Sequence, residues 1–454
     1  MIKSFILRNI IEPSAIIFIR KDNSLNLYKD YKKRQWNTLE SNIEFQKEKL
    51  YQLLKFAVGN IPFYIDFAKK ENLVISKENI LNVVKKFPIM TKADIQNEFN
   101  RLSNLSNKSD WFYNYSGGST GEPTKVIQDK RYWANTTMVT KLHYEWADFT
   151  FGDNMVVLWG SQKSILKEKE KLKKRFSNWI KSIYHLNSFS MDNSVMENYI
   201  KFINKKKPKL ILSYAQSINE LSKYILQNNI KVHSPNSIMS SAGILYPEFR
   251  KNIEDAFKCP VFNRYGSREI GSIACECEKH EGLHISTFTH YVEILNDNLI
   301  PCKEGEMGNI YVTLLENYRM PLIRYKIGDQ AIYTEKKCSC GRGLPIIEKL
   351  VGRDTDVFKT RDGKIIDGNF FVHFTGVVYN NGGLEKFQIV QKDYDLIQIN
   401  AIIKNHNLFE EAKDRIEESY RKVLGDNCKI IWNKVSEIKP LSSGKYRYTI
   451  REFN

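Results

Sequence analysis

Nowhere does the 454-residue chain run for about 18 apolar residues, so it holds no candidate membrane-spanning helix. The apolar opening, MIKSFILRNIIEPSAIIFIRKD, is interrupted by Lys3, Arg8, Glu12 and Pro13 and lacks a small-residue cleavage pattern, which argues against a secretory leader. Cysteine is sparse. Seven residues, an odd set without a regular framework, speak against a disulfide scaffold and for a reducing compartment. The expected location is the cytoplasm. No internal repeat is visible, and no zinc-finger, RNA-recognition or helix-turn-helix pattern is present, so no nucleic-acid partner is expected. The basic excess is nonetheless large, 69 Lys and Arg against 52 Asp and Glu, for a formal charge of +17. It suits a nucleotide, or peripheral contact with a membrane face. Its one dense run, KEKEKLKKR at 167–175, mixes signs and reads as a solvated helix or loop.

A hydrophobic content of 42% with 12% aromatics is ample for burial, and the length favours two or more domains. Residues 38–57 carry apolar residues at helical spacing. NMVVLWG (154–160), LILSYA (210–215), SIMSSAG (237–243) and PVFNRYG (260–266) read as buried strands, with helices SINELSKYILQNN and YPEFRKNIEDAF between them. That alternation predicts an α/β fold with a largely parallel sheet. From about 284 to 335 the chain turns strand-rich. KFQIVQKDYDLIQINAII then reads as a hairpin, LFEEAKDRIEESYRKVL as an amphipathic helix and CKIIWNKV as a final strand, a small α+β unit of its own. The boundary is placed in VGRDTD, dividing the chain into 1–353 and 354–454.

YNYSGGSTGEPTKVI (113–127) gathers bare backbone and hydroxyls, which is what wrapping a phosphate chain requires and also what a flexible surface turn contains. It is no P-loop, because Gly121 precedes Glu122 and Pro123 instead of Lys and Ser/Thr. Downstream come RYGSREIGS (264–272), a strand entering a Gly-Ser turn with Glu269, and RYKIGDQA (324–331), with Asp329 after a glycine. GRDTD (352–356) and PLSSGKYRY (440–448) complete the set.

In this order and spacing, over about residues 40–450, the motifs resemble the adenylate-forming superfamily of acyl-CoA synthetases, luciferases and nonribosomal adenylation domains. The branch most similar is that of phenylacetate–coenzyme A ligase, with its capsule-polysaccharide biosynthesis relatives. The resemblance implies an AMP-forming ligase with a large N-terminal domain and a mobile C-terminal lid. It implies ATP and Mg²⁺, a small-molecule carboxylic acid, and coenzyme A as acceptor. Ser116, Gly117, Gly118, Ser119, Thr120 and Gly121 would cradle the triphosphate, with Lys125 nearby. Glu269 would hold Mg²⁺, Asp329 would accept ribose hydroxyls, and Arg353 would donate to the same sugar. Tyr265, with Gly266 and Ser267, would lie at the adenine, and Ala242 and Gly243 would line the nucleotide. Lys445 would be the mobile cation of adenylation, with Glu269 and Thr120 the other catalytic residues. Trp159, Ser213, Tyr214 and Ser241 are candidates for the acyl pocket. Two departures stand out: Arg268 occupies a place usually held by a small hydroxyl residue, and Thr355 separates Asp354 and Asp356 at the hinge.

CECEKHEGLH (275–284) and CSCGRG (338–343) set thiols in turns, the pattern of a structural zinc site. Cys277, His284, Cys338 and Cys340 are the first choice of ligands, Cys275 and His280 the substitutes, and buried reduced thiols the alternative. Transfer to an amine, such as an amino sugar of a surface polysaccharide, is the rival acceptor chemistry. A silent nucleotide-binding scaffold is the rival outside enzymes. Composition does not distinguish monomer from homodimer.

Overall fold

The computed structural model describes residues 5–11, 14, 23–105, 110–115, 124–159, 182–188, 191, 193–353, 358–362, 365–366, 368–379, 382–439 and 447–453. Helices lead. Leu39–Asn60 is capped by Thr38, whose hydroxyl accepts from the Ser41 N–H at 3.2 Å. Leu50, Leu53, Leu54 and Ala57 form its buried stripe, and each buried leucine contributes about 1.5–3 kcal/mol.

An antiparallel hairpin follows, β1 (Trp111–Tyr115) with β2 (Lys125–Asp129), and then the helix Lys130–Trp146. Five strands come next: β3 (Met155–Leu158), β4 (Ile183–Leu186), β5 (Leu210–Tyr214), β6 (Ser237–Ser241) and β7 (Val261–Ser267). They pair in parallel, and every residue of β3, β5 and β6 is buried. Parallel steps need crossovers, supplied by helices Asn193–Lys206, Ala215–Gln227 and Pro247–Phe257. The buried runs in the sequence were strands for this reason.

At β7 the sheet changes character. β8 (Gly271–Glu276) pairs with it antiparallel, and β9 (Leu283–Ile285), β10 (His290–Leu295), β11 (Met307–Leu314), β12 (Tyr325–Tyr333) and β13 (Ile346–Arg353) extend the same sheet. Its eleven strands run in the order β10-β11-β12-β13-β9-β8-β7-β6-β5-β3-β4. The fold is therefore α/β, as the sequence predicts, and its one large sheet is mixed, parallel from β3 to β7 and antiparallel beyond.

Beyond it, β14 (Phe358–Lys359) pairs with β15 (Ile365–Ile366). A separate small sheet, ordered β18-β17-β16-β19, holds β16 (Leu384–Asp393), β17 (Leu396–Ile403), β18 (Lys429–Lys434) and β19 (Thr449–Arg451). The helix His406–Leu424 belongs to this unit, capped by Asn405, which accepts from the Leu408 N–H. CKIIWNKV is not the last strand. β19 follows it and pairs parallel with β16, too short at three residues to show a pattern. Residues 354–356 of the hinge and the charge run 167–175 lie outside the described residues. Among the described residues, no helix is long and apolar enough to cross a membrane.

Candidate functional site

β5, β6 and β7 end on Tyr214, Ser241 and Ser267, and all three line one cavity of about 310 Å³. Carboxyl ends of parallel strands are where α/β sheets place ligands, because the loops there open a crevice. Trp159, just beyond β3, joins the wall, its ring centroid 4.0 Å from that of Tyr214. Burial pushes the Tyr214 phenol up to about 12, with the Arg268 charge pulling the other way. Ala242 and Gly243 form the lip; Ala242 has φ +60°, a left-handed conformation that a side chain disfavours.

The facing wall is β12. Its Asp329 accepts a hydrogen bond from the Tyr265 hydroxyl at 2.9 Å and stands in register with Arg353 of β13. Glu269 occupies the turn between β7 and β8, buried and lining the cavity. Carbonyls of that turn are held one by one. Gln128 Nε2 donates to Arg268 O at 2.8 Å and Glu269 O at 3.0 Å, Asn114 Nδ2 to Arg268 O at 3.0 Å, and His290 Nε2 to Ile270 O at 2.6 Å. Gly266 admits no side chain, since a Cβ would strike the Gly271 carbonyl. The motif glycine is thus required by the closeness of β7 and β8.

The structure brings Tyr265, Gly266, Ser267, Glu269, Asp329, Ala242, Gly243, Trp159, Tyr214 and Ser241 to one place. Ser213 is different. It is buried, its Oγ donates to the Tyr214 carbonyl at 3.0 Å, and it is not part of the cavity wall, since strand alternation turns it from Tyr214's side. Ser116–Gly121, with Thr120, and Lys445 lie outside the described residues. Lys125 begins β2, its Nζ 3.7 Å from the Tyr113 ring centroid and 4.9 Å from that of Phe99. The C-terminal unit reaches the cavity through Arg447, Tyr448 and Thr449; the Tyr448 ring lies 5.9 Å from that of Phe249 and 5.2 Å from Phe387. The sequence reading missed Gln128, Asn114, His290, Lys92 and Arg264. Only Arg264 left a trace, a charged residue inside the strand-like run VFNRYG.

A second cluster lies apart from the cavity. Cys277, His284, Cys338 and Cys340 place their ligand atoms all within 4.8 Å of one another. Cys277 Sγ is 3.6 Å from Cys338 Sγ, and Cys340 Sγ is 3.3 Å from His284 Nε2. A zinc–thiolate tetrahedron has edges of about 3.8 Å, slightly less where a nitrogen replaces sulfur, so the spacing fits. Burial lowers the His284 imidazole to about 4, which leaves it neutral and able to bind metal. Burial raises the Cys340 thiol, but the Arg342 N–H, 3.4 Å from its sulfur, and the Arg342 side chain more than offset it and hold the thiol below its ordinary value. Of the substitute ligands, Cys275 sits buried in β8 and His280 is bonded to Glu276 at 3.0 Å.

Comparison with known proteins finds relatives along the chain. Residues 358–452 match the family described as the CapK C-terminal domain. The chain is 26% identical to Protein CapK of Staphylococcus aureus, over 96% of this chain and 94% of that one. It is 23% identical to a phenylacetate-coenzyme A ligase of Pseudomonas putida, over 74% and 77%. A crystal structure of 2-hydroxyisobutyryl-CoA ligase in the postadenylation state, complexed with 2-HIB-AMP, shares the fold with a TM-score of 0.70 at 16% identity, covering 90% of this chain and 89% of that one. With relatives along nearly its whole length and a shared fold, the chain is similar to CapK and to phenylacetate-coenzyme A ligase, and its fold is that of a CoA ligase.

Proposed function

We propose that this protein activates a carboxylic acid with ATP and passes the acyl group to coenzyme A. A carboxylate oxygen attacks the α-phosphorus, the bond to the β-phosphate breaks, and pyrophosphate leaves. The thiol sulfur then attacks the acyl carbonyl, and AMP departs. One observation carries the reading: Glu269, the Tyr265–Asp329 pair and the 242–243 lip converge on a single cavity at the ends of parallel strands.

Asp329 would accept the ribose hydroxyls, oriented by Tyr265, with Arg353 donating to the same sugar. Glu269 fits Mg²⁺, because its carboxylate is buried yet makes no ion pair or hydrogen bond among the described residues. The ion would neutralise charge on the phosphates. Ser116–Gly121 would wrap the triphosphate, and Lys445, three residues before the cavity-lining Tyr448, would supply the cation of the first step. The cluster of Cys277, His284, Cys338 and Cys340 would hold one zinc ion for stability. It lies outside the cavity wall and supplies all four ligands, leaving no open position.

Pyrophosphate release across a panel of carboxylic acids, with coenzyme A, with amines and with neither, tests the reading. Acid-dependent release with thioester formed only in the coenzyme A arm is expected. Amide formation instead would move the acceptor to the amine reading. Absence of release with every acid would refute the activation step.

A further inference from the structure

Arg264 lies on β7 one residue before Tyr265, so the two side chains leave the strand on opposite faces. Tyr265 turns to Asp329. Arg264 turns toward the helix Lys130–Trp146, and its charge acts on Tyr132, His143 and Cys275. Burial pushes the Tyr132 phenol and the Cys275 thiol up and the His143 imidazole down, so all three are neutral at pH 7; the Glu269 carboxylate also acts on Tyr132 but makes no ion pair with Arg264 among the described residues. Arg264 itself is half-buried, and its Nε is buried without a hydrogen-bond partner. Among the described residues no carboxylate pairs with it. Arg268, in the next turn, also lines the cavity and has no side-chain ion pair among the described residues. Its charge reaches Tyr214, at the Trp159 end.

A half-buried guanidinium whose Nε lacks a partner is costly, and with a second, exposed guanidinium at the same cavity it indicates that a compensating anion arrives with the ligand. The nucleotide's sugar end is marked by Tyr265 and Asp329, on the other face of β7 from Arg264, while Arg268 looks to the Trp159–Tyr214 end.

We propose that Arg264 and Arg268 bind a second anionic group on the acid substrate, which is therefore a carboxylic acid bearing a further carboxylate or phosphate. This assignment rests on the reading that the cavity takes the acid to be activated. The planar guanidinium fork matches either oxyanion with paired hydrogen bonds, and the Trp159–Tyr214 rings cover the carbon chain between the two charged ends.

Equilibrium binding by calorimetry on the full chain, without nucleotide, tests this independently of turnover. The pairs are succinate with butyrate, phthalate with benzoate, and 3-phosphoglycerate with glycerate; the last separates phosphate from carboxylate as the source of charge. The dianion of at least one pair is expected to bind about 10–100-fold tighter than its partner. Arg264→Met should reduce that preference to under about threefold, and Arg264→Lys should retain part of it. Arg268→Gln, on an exposed turn, reads the same preference should Arg264→Met fail to fold. No dianion preference in any pair, or a preference unchanged in the folded variants, overturns the proposal. So does a loss of ATP affinity in place of acid affinity. Pyrophosphate release, measured in parallel, judges the reaction separately. Release with monoacids and no dianion preference sinks this assignment and leaves the ligase reading standing; dianion binding without release does the reverse.

Discussion

The hydrogen bond from Tyr265 to Asp329 joins residues 64 positions apart, and it fixes the carboxylate that would accept the ribose hydroxyls. Charge-assisted hydrogen bonds contribute about 1.5–3 kcal/mol, so Asp329→Ala should weaken ATP and AMP binding about 10–100-fold with circular dichroism unchanged. Tyr265→Phe removes only the orienting hydroxyl and should cost about 1 kcal/mol, roughly fivefold in affinity. Calorimetry showing unchanged nucleotide affinity in Asp329→Ala would remove the role. Lys445→Ala should lose about 3–4 kcal/mol of transition-state stabilisation in adenylation while sparing thioester formation from supplied acyl-AMP. Equal loss in both half-reactions would contradict it. Glu269 drew attention in the sequence through its Gly-Ser turn and Asp329 through the glycine before it, although Asp329 lies within β12 and not in a turn. The bond between Tyr265 and Asp329 was not, since no pattern links distant strands. Ser213 was misplaced by one step of strand alternation, a detail set by which face meets the cavity.

At the scale of elements, the parallel half of the sheet could be read from unbroken apolar runs separated by helices. Its continuation could not. β8 to β13 share one sheet with β3 to β7 through pairings such as β13 with β9, which join segments about 60 residues apart. The β1–β2 hairpin was hidden for a similar reason. Its importance lies in Gln128 and Asn114, which hold the turn carrying Glu269, and such side-chain bonds leave no periodicity. The two cysteine turns, by contrast, announced themselves, and the fold brings the predicted ligands together. Protein purified without chelator should contain about one zinc per chain, measured by elemental analysis. Cys338→Ser should release metal and lower the melting temperature by about 5 °C or more. Protein that stays folded should keep its adenylation activity. Zinc below about 0.2 equivalents would return these residues to buried thiols.

For the whole molecule, buried neutral histidines set the response to acid. His290 is enclosed, donates from Nε2 to Ile270 O and accepts at Nδ1 from the Thr289 hydroxyl at 2.9 Å; burial lowers its imidazole to about 4. The unfolded chain takes up this proton near pH 6.5 and the folded one only near 4, so stability falls as pH drops across that window. The loss from His290 amounts to about 3 kcal/mol. Denaturation midpoints between pH 7 and 4 should fall steeply in the native chain and less steeply in His290→Gln; equal slopes would contradict the burial account. The same burial holds the Glu269 turn from beneath, so stability and the site share one layer of the fold. The central claim is that the acid is activated on the α-phosphate of ATP. Its most direct measurement uses an acid labelled with ¹⁸O in both carboxylate oxygens, turned over with ATP and coenzyme A, with AMP analysed by mass spectrometry. Transfer of one ¹⁸O atom into each AMP is predicted, because the acyl C–O bond breaks in the second step; label appearing in inorganic phosphate with ADP, or in no phosphate product at all, would contradict it.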